Sequence, residues 1–187
     1  QGPEERDVTT DVALFDKEAG IKTPPALLGL LGLGALMTAY AIWKIFFDTP
    51  EERIMGFVQK IFYFHVPSAW IMFLAVFTAA VGSVGHLVKR KAGWDQLEDA
   101  SVDLAIIFGA MVLITGPLWG RKAWGAYWVW DVRLTSTLVL FLTLVACKIV
   151  RSYAGPAAKQ ITAGLTLFAV VNSIFVYFCV KLWKTNH

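Results

Sequence analysis

The sequence predicts an all-α, polytopic integral membrane protein, a helix bundle with five spans in this chain. Two observations support this fold class. Hydrophobic residues make up 57% and charged residues only 17% of the 187 residues, whereas a soluble domain has about 25% charged residues. Five apolar runs, each close to the length that crosses about 30 Å of hydrocarbon, are separated by short polar segments.

The chain divides into a polar segment and a single membrane domain. Residues 1–25 are polar and acidic and have no apolar core, so they predict neither a signal peptide nor a span. The membrane domain comprises residues 26–187. Its predicted spans cover residues 26–47, 61–88, 102–119, 134–150 and 161–180.

Composition excludes several classes of function. The net charge of +3 is too small to indicate nucleic-acid binding, so the expected partners are the lipid bilayer, other proteins and a small ligand. Cys147 and Cys179 lie in separate apolar runs and predict neither a disulfide framework nor a metal site. No hydrolase, kinase or phosphate-loop motif is present. Any ATP-driven step would therefore belong to a partner subunit.

Basic residues indicate the orientation in the membrane. The basic run 89–91 follows the second span, and Lys148, Arg151 and Lys159 accompany the end of the fourth span, as is typical of cytoplasmic loops. The total number of basic residues is nearly equal on the two sides, so the compact run 89–91 decides the prediction. The amino-terminal segment is then cytoplasmic, and the loop between spans three and four faces the periplasm or outer side.

That loop, residues 119–135, holds four of the eight Trp of the chain. If its middle part is helical, Trp124, Tyr127, Trp128 and Asp131 share one face. Indoles interleaved with basic side chains suit a large, flat, apolar ligand with anionic groups, and an interfacial aromatic belt is the alternative. The candidate ligand contacts are Trp119, Arg121, Lys122, Trp124, Tyr127, Trp128, Trp130, Asp131 and Arg133.

Two of the three His lie on the predicted outer face with this loop. His65 begins the second span and His187 follows the fifth, whereas His86 is about 31 Å further along the second span at ~1.5 Å per residue. Two neutral imidazoles can bind a metalloporphyrin iron from opposite faces, while indoles pack on the ring and Arg or Lys contact its propionates. A haem site with His65 and His187 as metal ligands is the resulting hypothesis, and an ordinary structural role remains open for each His.

Asp131 is predicted to have a structural role. It can pair with Arg133 or hold an Arg or Trp N–H group in place. No nucleophile, second carboxylate or cluster of metal ligands accompanies it, so acid–base chemistry is not expected.

Segment 119–135 resembles the tryptophan-rich WWD signature of the haem-handling protein superfamily. Its ending, WDVRLT at 130–135, is similar to the CcmC branch, haem exporter protein C of cytochrome c maturation. Haem lyases of the CcmF and CcsA types typically continue Trp-Asp-Pro-x-Glu instead. FHVPSAW at 64–70 is similar to the first His motif of the branch, and VKLWKTNH at 180–187 is similar to its second. Tyr127 stands where the family commonly has another Trp.

The resemblance implies a six-span protein of the cytoplasmic (inner) membrane whose sixth helix would follow His187. It implies that haem b, the transported ligand, is held at the outer surface by the residues matching His65 and His187 and passed to the haem chaperone CcmE. The resemblance also implies that the protein is not an enzyme. The implied partners are the ABC-transporter subunits CcmA and CcmB and the small protein CcmD.

Three other functions remain open at this stage. One is a CcmF/CcsA-type cytochrome c haem lyase, against which the ending at 130–135 argues. Another is a b-type electron conduit that uses His86, which would need a second His near the cytoplasmic face. The third is a structural membrane subunit that binds no cofactor.

Overall fold

The computed structural model describes residues 24–182, apart from the side chain of Val180. This part of the chain contains five helices that are long and apolar enough to cross a membrane, which confirms the predicted all-α, multi-pass fold. The segment 1–23 and the predicted ligand His187 lie outside the described residues. The helices are α1 (Pro25–Trp43), α2 (Phe62–Lys89), α3 (Ala92–Trp124), α4 (Val132–Tyr153) and α5 (Ala158–Leu182).

The described residues divide into two compact units, one that ends at Thr49 and one that begins at Pro50. In the first unit, Pro25 occupies the first turn of α1, where its fixed φ angle and missing N–H group are tolerated. A π-helical segment, Lys44–Asp48, continues α1, and the ammonium group of Lys44 pairs with the carboxylate of Asp48. This unit accounts for the first predicted span.

The second unit is a bundle of α2, α3, α4 and α5. A 3-10 helical turn, Phe57–Ile61, leads into α2, and another, Gly155–Ala157, leads into α5. Small and medium-sized apolar side chains from all four helices form the core, and the two free thiols, Cys147 and Cys179, are buried. The core residues are Met72, Ala75, Val76, Ala79, Val102, Ala105, Leu140, Leu144, Cys147 and Ala169.

Two glycines of α2 allow it to pack closely against α3. A Cβ atom at Gly82 would lie 2.6 Å from the backbone nitrogen of Glu98, and one at Gly85 would overlap the indole of Trp94. Real side chains do not tolerate such approaches. The two helices can therefore pack this closely only because both positions lack a side chain.

Ion pairs join α3, α4 and α5 at the end of the bundle away from the Trp-rich segment. Arg151 contacts Asp95 at 2.7 Å, Glu98 at 3.2 Å and Asp99 at 3.0 Å. Thr166 on α5 also donates a hydrogen bond to Glu98, at 2.9 Å. We call this network the charged end, and it comprises Asp95, Glu98, Asp99, Asp103, Lys148, Arg151 and Lys159.

The helix α3 is longer than the apolar run 102–119 that predicted its span. It begins at Ala92 and ends at Trp124, so the acids of the charged end and the first residues of the Trp-rich segment are helical. Acidic side chains lower the local hydropathy, which hid the first extension from a hydropathy-based prediction. The other helices begin and end within a few residues of their predicted bounds.

Candidate functional site

The Trp-rich segment is helical only at its two ends. Gly125 adopts a left-handed φ of 80° and donates its N–H to the carbonyl of Arg121, at 3.2 Å, which ends α3. Residues 125–131 are not helical. The proposed helical face of Trp124, Tyr127, Trp128 and Asp131 is therefore absent, because the glycine terminates the helix before that face can form.

Asp131 caps the helix that follows. Its carboxylate accepts a hydrogen bond from the backbone N–H of Leu134 at 2.7 Å, which satisfies a donor that the first turn of α4 leaves unpaired. This contact is structural and its donor is a backbone N–H, whereas the predicted contact of Asp131 with Arg133 or with an Arg or Trp N–H group stays a prediction. The cap fixes where α4 begins and hence where Arg133 stands.

A cavity of about 390 Å³ lies among α2, α3, the first turns of α4 and the last turns of α5. This volume falls in the range of small-molecule sites, about 300–1,000 Å³. Its wall is mainly aromatic and aliphatic. We call it the tryptophan cavity. The residues that line it include His65, Trp119, Trp124, Trp128 and Arg133.

Three rings form one side of the tryptophan cavity. The ring centroids of Trp119 and Trp124 are 5.5 Å apart and edge-on, and Phe62 lies 5.4 Å from Trp119. A Cβ atom at Gly120 would lie 2.7 Å from the Trp124 ring, so this glycine lets the indole fold back against its own helix. The aromatic wall thus depends on a residue, Gly120, that sequence reasoning did not single out.

His65 enters the tryptophan cavity from α2 and is held by two consecutive residues of α3. Its Nδ1 atom lies 2.9 Å from the Thr115 hydroxyl oxygen. A Cβ atom at Gly116 would lie 3.3 Å from the His65 Cε1 atom. A lone Thr in an apolar span usually bonds only to its own helix, so the sequence carried no signal for Thr115. His86 lies in the last turn of α2, away from this site.

The remaining aromatic residues of the segment divide between the cavity and the surface. Trp128 lines the tryptophan cavity, and its buried Nε1–H has no hydrogen-bond acceptor in the described part of the chain. Trp130 packs edge-on against it at 5.6 Å and is 77% exposed. Tyr127 is also exposed. The Cζ atom of Arg121 lies over its ring, 5.6 Å from the centroid of the Tyr127 ring.

Of the three predicted anion contacts, only Arg133 lines the tryptophan cavity. Arg121 donates a hydrogen bond to the carbonyl of Gly125, and Lys122 is exposed at the end of α3. The cavity therefore receives one guanidinium rather than three cations.

The chemistry of these residues defines the ligand that fits. Aromatic walls suit a flat apolar body, and a guanidinium suits a carboxylate. A buried N–H group without an acceptor lowers stability by roughly 1–3 kcal/mol. A ligand with an oxygen acceptor near the Trp128 indole would remove this cost. The imidazole of His65 can bind a metal. A planar, metal-bearing molecule with acidic groups meets all four requirements.

Comparison with known proteins places the chain in a family. The family model described as heme exporter protein C, CcmC, matches residues 21–187. The chain belongs to the haem exporter protein C family. The match includes all five described helices. It confirms, over most of the chain, the family resemblance that the short motifs indicated.

Individual relatives are similar to most of this chain. A protein of that name from Bradyrhizobium diazoefficiens is 35% identical over 160 residues, which is 84% of this chain and 58% of that protein. The Escherichia coli K12 protein of the same name is 33% identical over 159 residues, 81% of this chain and 62% of its own length. A ccmC-like mitochondrial protein of cytochrome c biosynthesis from Marchantia polymorpha is 33% identical over 159 residues, which is 84% of this chain and 68% of that protein. The chain spans about three fifths of the first of these relatives.

Proposed function

We propose that this chain holds haem in the tryptophan cavity and delivers it for the maturation of c-type cytochromes. The observation that carries the proposal is the meeting of His65, Trp124, Trp128 and Arg133, from α2, α3, the loop and α4, around one cavity. The names of the relatives agree with this chemistry.

Each residue has a distinct part in the proposal. His65 binds the haem iron from one face, and His187, outside the described residues, binds it from the other. Trp119, Trp124 and Trp128 pack on the porphyrin, while Arg133 and the Trp128 N–H contact a propionate. Tyr127, Trp130, Arg121, Lys122 and Asp131 shape the loop around the cavity. Haem b is cargo here, so the chain needs axial bonds that exchange rather than a permanent cofactor bond.

The proposal includes a location and partners. The tryptophan cavity faces the periplasm or outer side of the cytoplasmic (inner) membrane, where the haem chaperone CcmE takes the haem. CcmA and CcmB supply the transporter and its ATPase, and CcmD completes the complex. The chain itself makes and breaks no covalent bond of the porphyrin, which distinguishes delivery from a haem lyase.

The test is the visible spectrum and the haem-to-protein ratio of the full chain, purified in detergent after expression with the partner subunits. We expect stoichiometric low-spin haem b. The variants His65→Ala and His187→Ala should each shift the bands and lower the ratio. His86→Ala is the matched control, because His86 lies on the same helix as His65 but away from the cavity, and it should leave the spectrum unchanged.

Two results would overturn the proposal. One is a chain that carries no haem even with all partners present. The other is a haem spectrum that His65→Ala leaves intact, or that His86→Ala changes as strongly as His65→Ala does.

A further inference from the structure

We propose that Thr115 is a positioning residue for His65, which it holds in the tautomer that carries the proton on Nδ1 and the lone pair on Nε2. This rests on the proposed function, in which the His65 imidazole binds the haem iron. Thr115 touches no ligand in this proposal and acts only through His65.

The argument begins with the single proton of the Thr115 hydroxyl. The hydroxyl oxygen lies 2.5 Å from the carbonyl oxygen of Met111, one turn earlier on α3. Two oxygens this close require a hydrogen between them, and only the hydroxyl can supply it. The proton of Thr115 is therefore committed to Met111.

The second contact of Thr115 then has only one possible direction. Its oxygen lies 2.9 Å from Nδ1 of His65. Having donated its proton to Met111, the hydroxyl can only accept, so Nδ1 must carry the hydrogen of this bond. A neutral imidazole has one N–H, which leaves the lone pair on Nε2.

Close packing fixes the ring as well as its proton. Gly116 follows Thr115 directly, and a Cβ atom there would approach Cε1 of His65 to 3.3 Å and Nδ1 to 3.8 Å. The edge of the ring that carries Cε1 and Nδ1 therefore lies against the backbone of α3. Consecutive residues thus control its tautomer and its position.

Such an arrangement favours metal binding in two ways. The tautomer with Nε2 unprotonated is present before haem arrives, so no proton has to move when the bond to iron forms. An acceptor on Nδ1–H also raises the basicity of the opposite nitrogen, and loss of such a partner typically weakens metal binding by about 10- to 100-fold.

The first experiment needs no haem. Nitrogen NMR of the haem-free chain labelled with ¹⁵N-histidine distinguishes protonated from unprotonated ring nitrogens, and His65→Ala assigns the His65 signals. We expect the wild type to show one neutral tautomer, protonated at Nδ1. Thr115→Val has the same shape without the hydroxyl and should give a mixture of tautomers, whereas Thr115→Ser should keep the wild-type signals. Wild-type-like signals in Thr115→Val would overturn the proposal.

The second experiment uses the haem-loaded chain. Thr115→Val should weaken haem binding by about tenfold, the lower end of that range, and should raise the haem reduction potential because the imidazole becomes a poorer donor. Thr115→Ser should keep the haem affinity and the reduction potential of the wild type. An unchanged potential of the haem that remains in Thr115→Val would overturn the proposal even if the haem content fell, because a lower content alone also follows from misfolding.

A third variant tests the packing contact. Gly116→Ala should perturb the low-spin haem spectrum, because the new Cβ must displace the His65 ring. Gly164→Ala on α5 is the matched control, since a Cβ there meets nothing within 4 Å. Equal spectra for the two variants would remove Gly116 from the proposal.

These outcomes separate the two proposals. If His65→Ala retains its haem spectrum, the proposed function fails, although the NMR result on Thr115 still stands or falls by itself. If His65 binds haem and Thr115→Val behaves as wild type, only the positioning role fails.

Discussion

The guanidinium of Arg151 on α4 lies 3.2 Å from the carboxylate of Glu98 on α3, whose side chain has no exposed surface. A buried carboxylate is tolerated when opposite charges and hydrogen bonds surround it. Here Arg151 and the Thr166 hydroxyl provide both. Together these three residues connect α3, α4 and α5 at the charged end, so they affect the stability of the bundle.

Replacing Arg151 by Met should destabilise the chain by about 3–5 kcal/mol, because Glu98 and Asp95 would lose their main partner. The measurement is the free energy of unfolding in mixed micelles with SDS. Adding Glu98→Gln to this variant should recover part of the loss. Arg53→Met is the control, since Arg53 is exposed and has no ion pair among the described residues, and an equal loss there would contradict the assignment.

Gly82→Ala should destabilise the contact between α2 and α3. Its Cβ would lie 2.6 Å from the backbone nitrogen of Glu98 and 2.9 Å from the carbonyl oxygen of Trp94. Backbone atoms cannot rotate away, so the helices must separate, at a cost of about 1–3 kcal/mol. Gly93→Ala, where a Cβ meets nothing, should be neutral or stabilising in the same unfolding measurement. An unchanged free energy of unfolding in Gly82→Ala would contradict the close contact between α2 and α3 at this position.

Asp131→Ala should lower stability by about 1 kcal/mol through loss of the helix cap. It should also weaken haem binding, because Arg133 in the first turn of α4 lines the tryptophan cavity. Asp131→Asn keeps a capping oxygen and removes the charge, so it should resemble the wild type in thermal unfolding and haem titration. A loss in Asp131→Asn as large as in Asp131→Ala would indicate that the charge matters instead.

The two neighbouring indoles, Trp128 and Trp130, should respond differently to substitution by Phe. Trp128→Phe keeps an aromatic ring but removes the N–H that is proposed to bond a propionate, and a hydrogen bond to a charged group contributes about 1.5–3 kcal/mol. We expect haem affinity to fall at least about tenfold in a titration. Trp130 is largely exposed, so Trp130→Phe should bind haem as the wild type does. Equal effects would place both rings on the ligand.

Hydropathy predicted the helices well because each span is a local property of the sequence. The tryptophan cavity was only partly predictable. The placement of His65 and the Trp residues at one end of the bundle follows from span order alone, but the exclusion of Trp130 from the wall depends on the left-handed turn at Gly125. The charged end escaped prediction because the partners of Glu98 are more than 50 residues away in the chain.

The length of α3 has a consequence for how a ligand leaves. Its charge-free segment, residues 104–120, measures about 26 Å at ~1.5 Å per residue, close to the ~30 Å of hydrocarbon in a bilayer. Trp124, Trp128 and Arg133 follow that segment and so stand at the level of the lipid head groups. In the proposed function, haem released past them enters the wet boundary of the bilayer, where an acceptor can take it without entering the hydrocarbon.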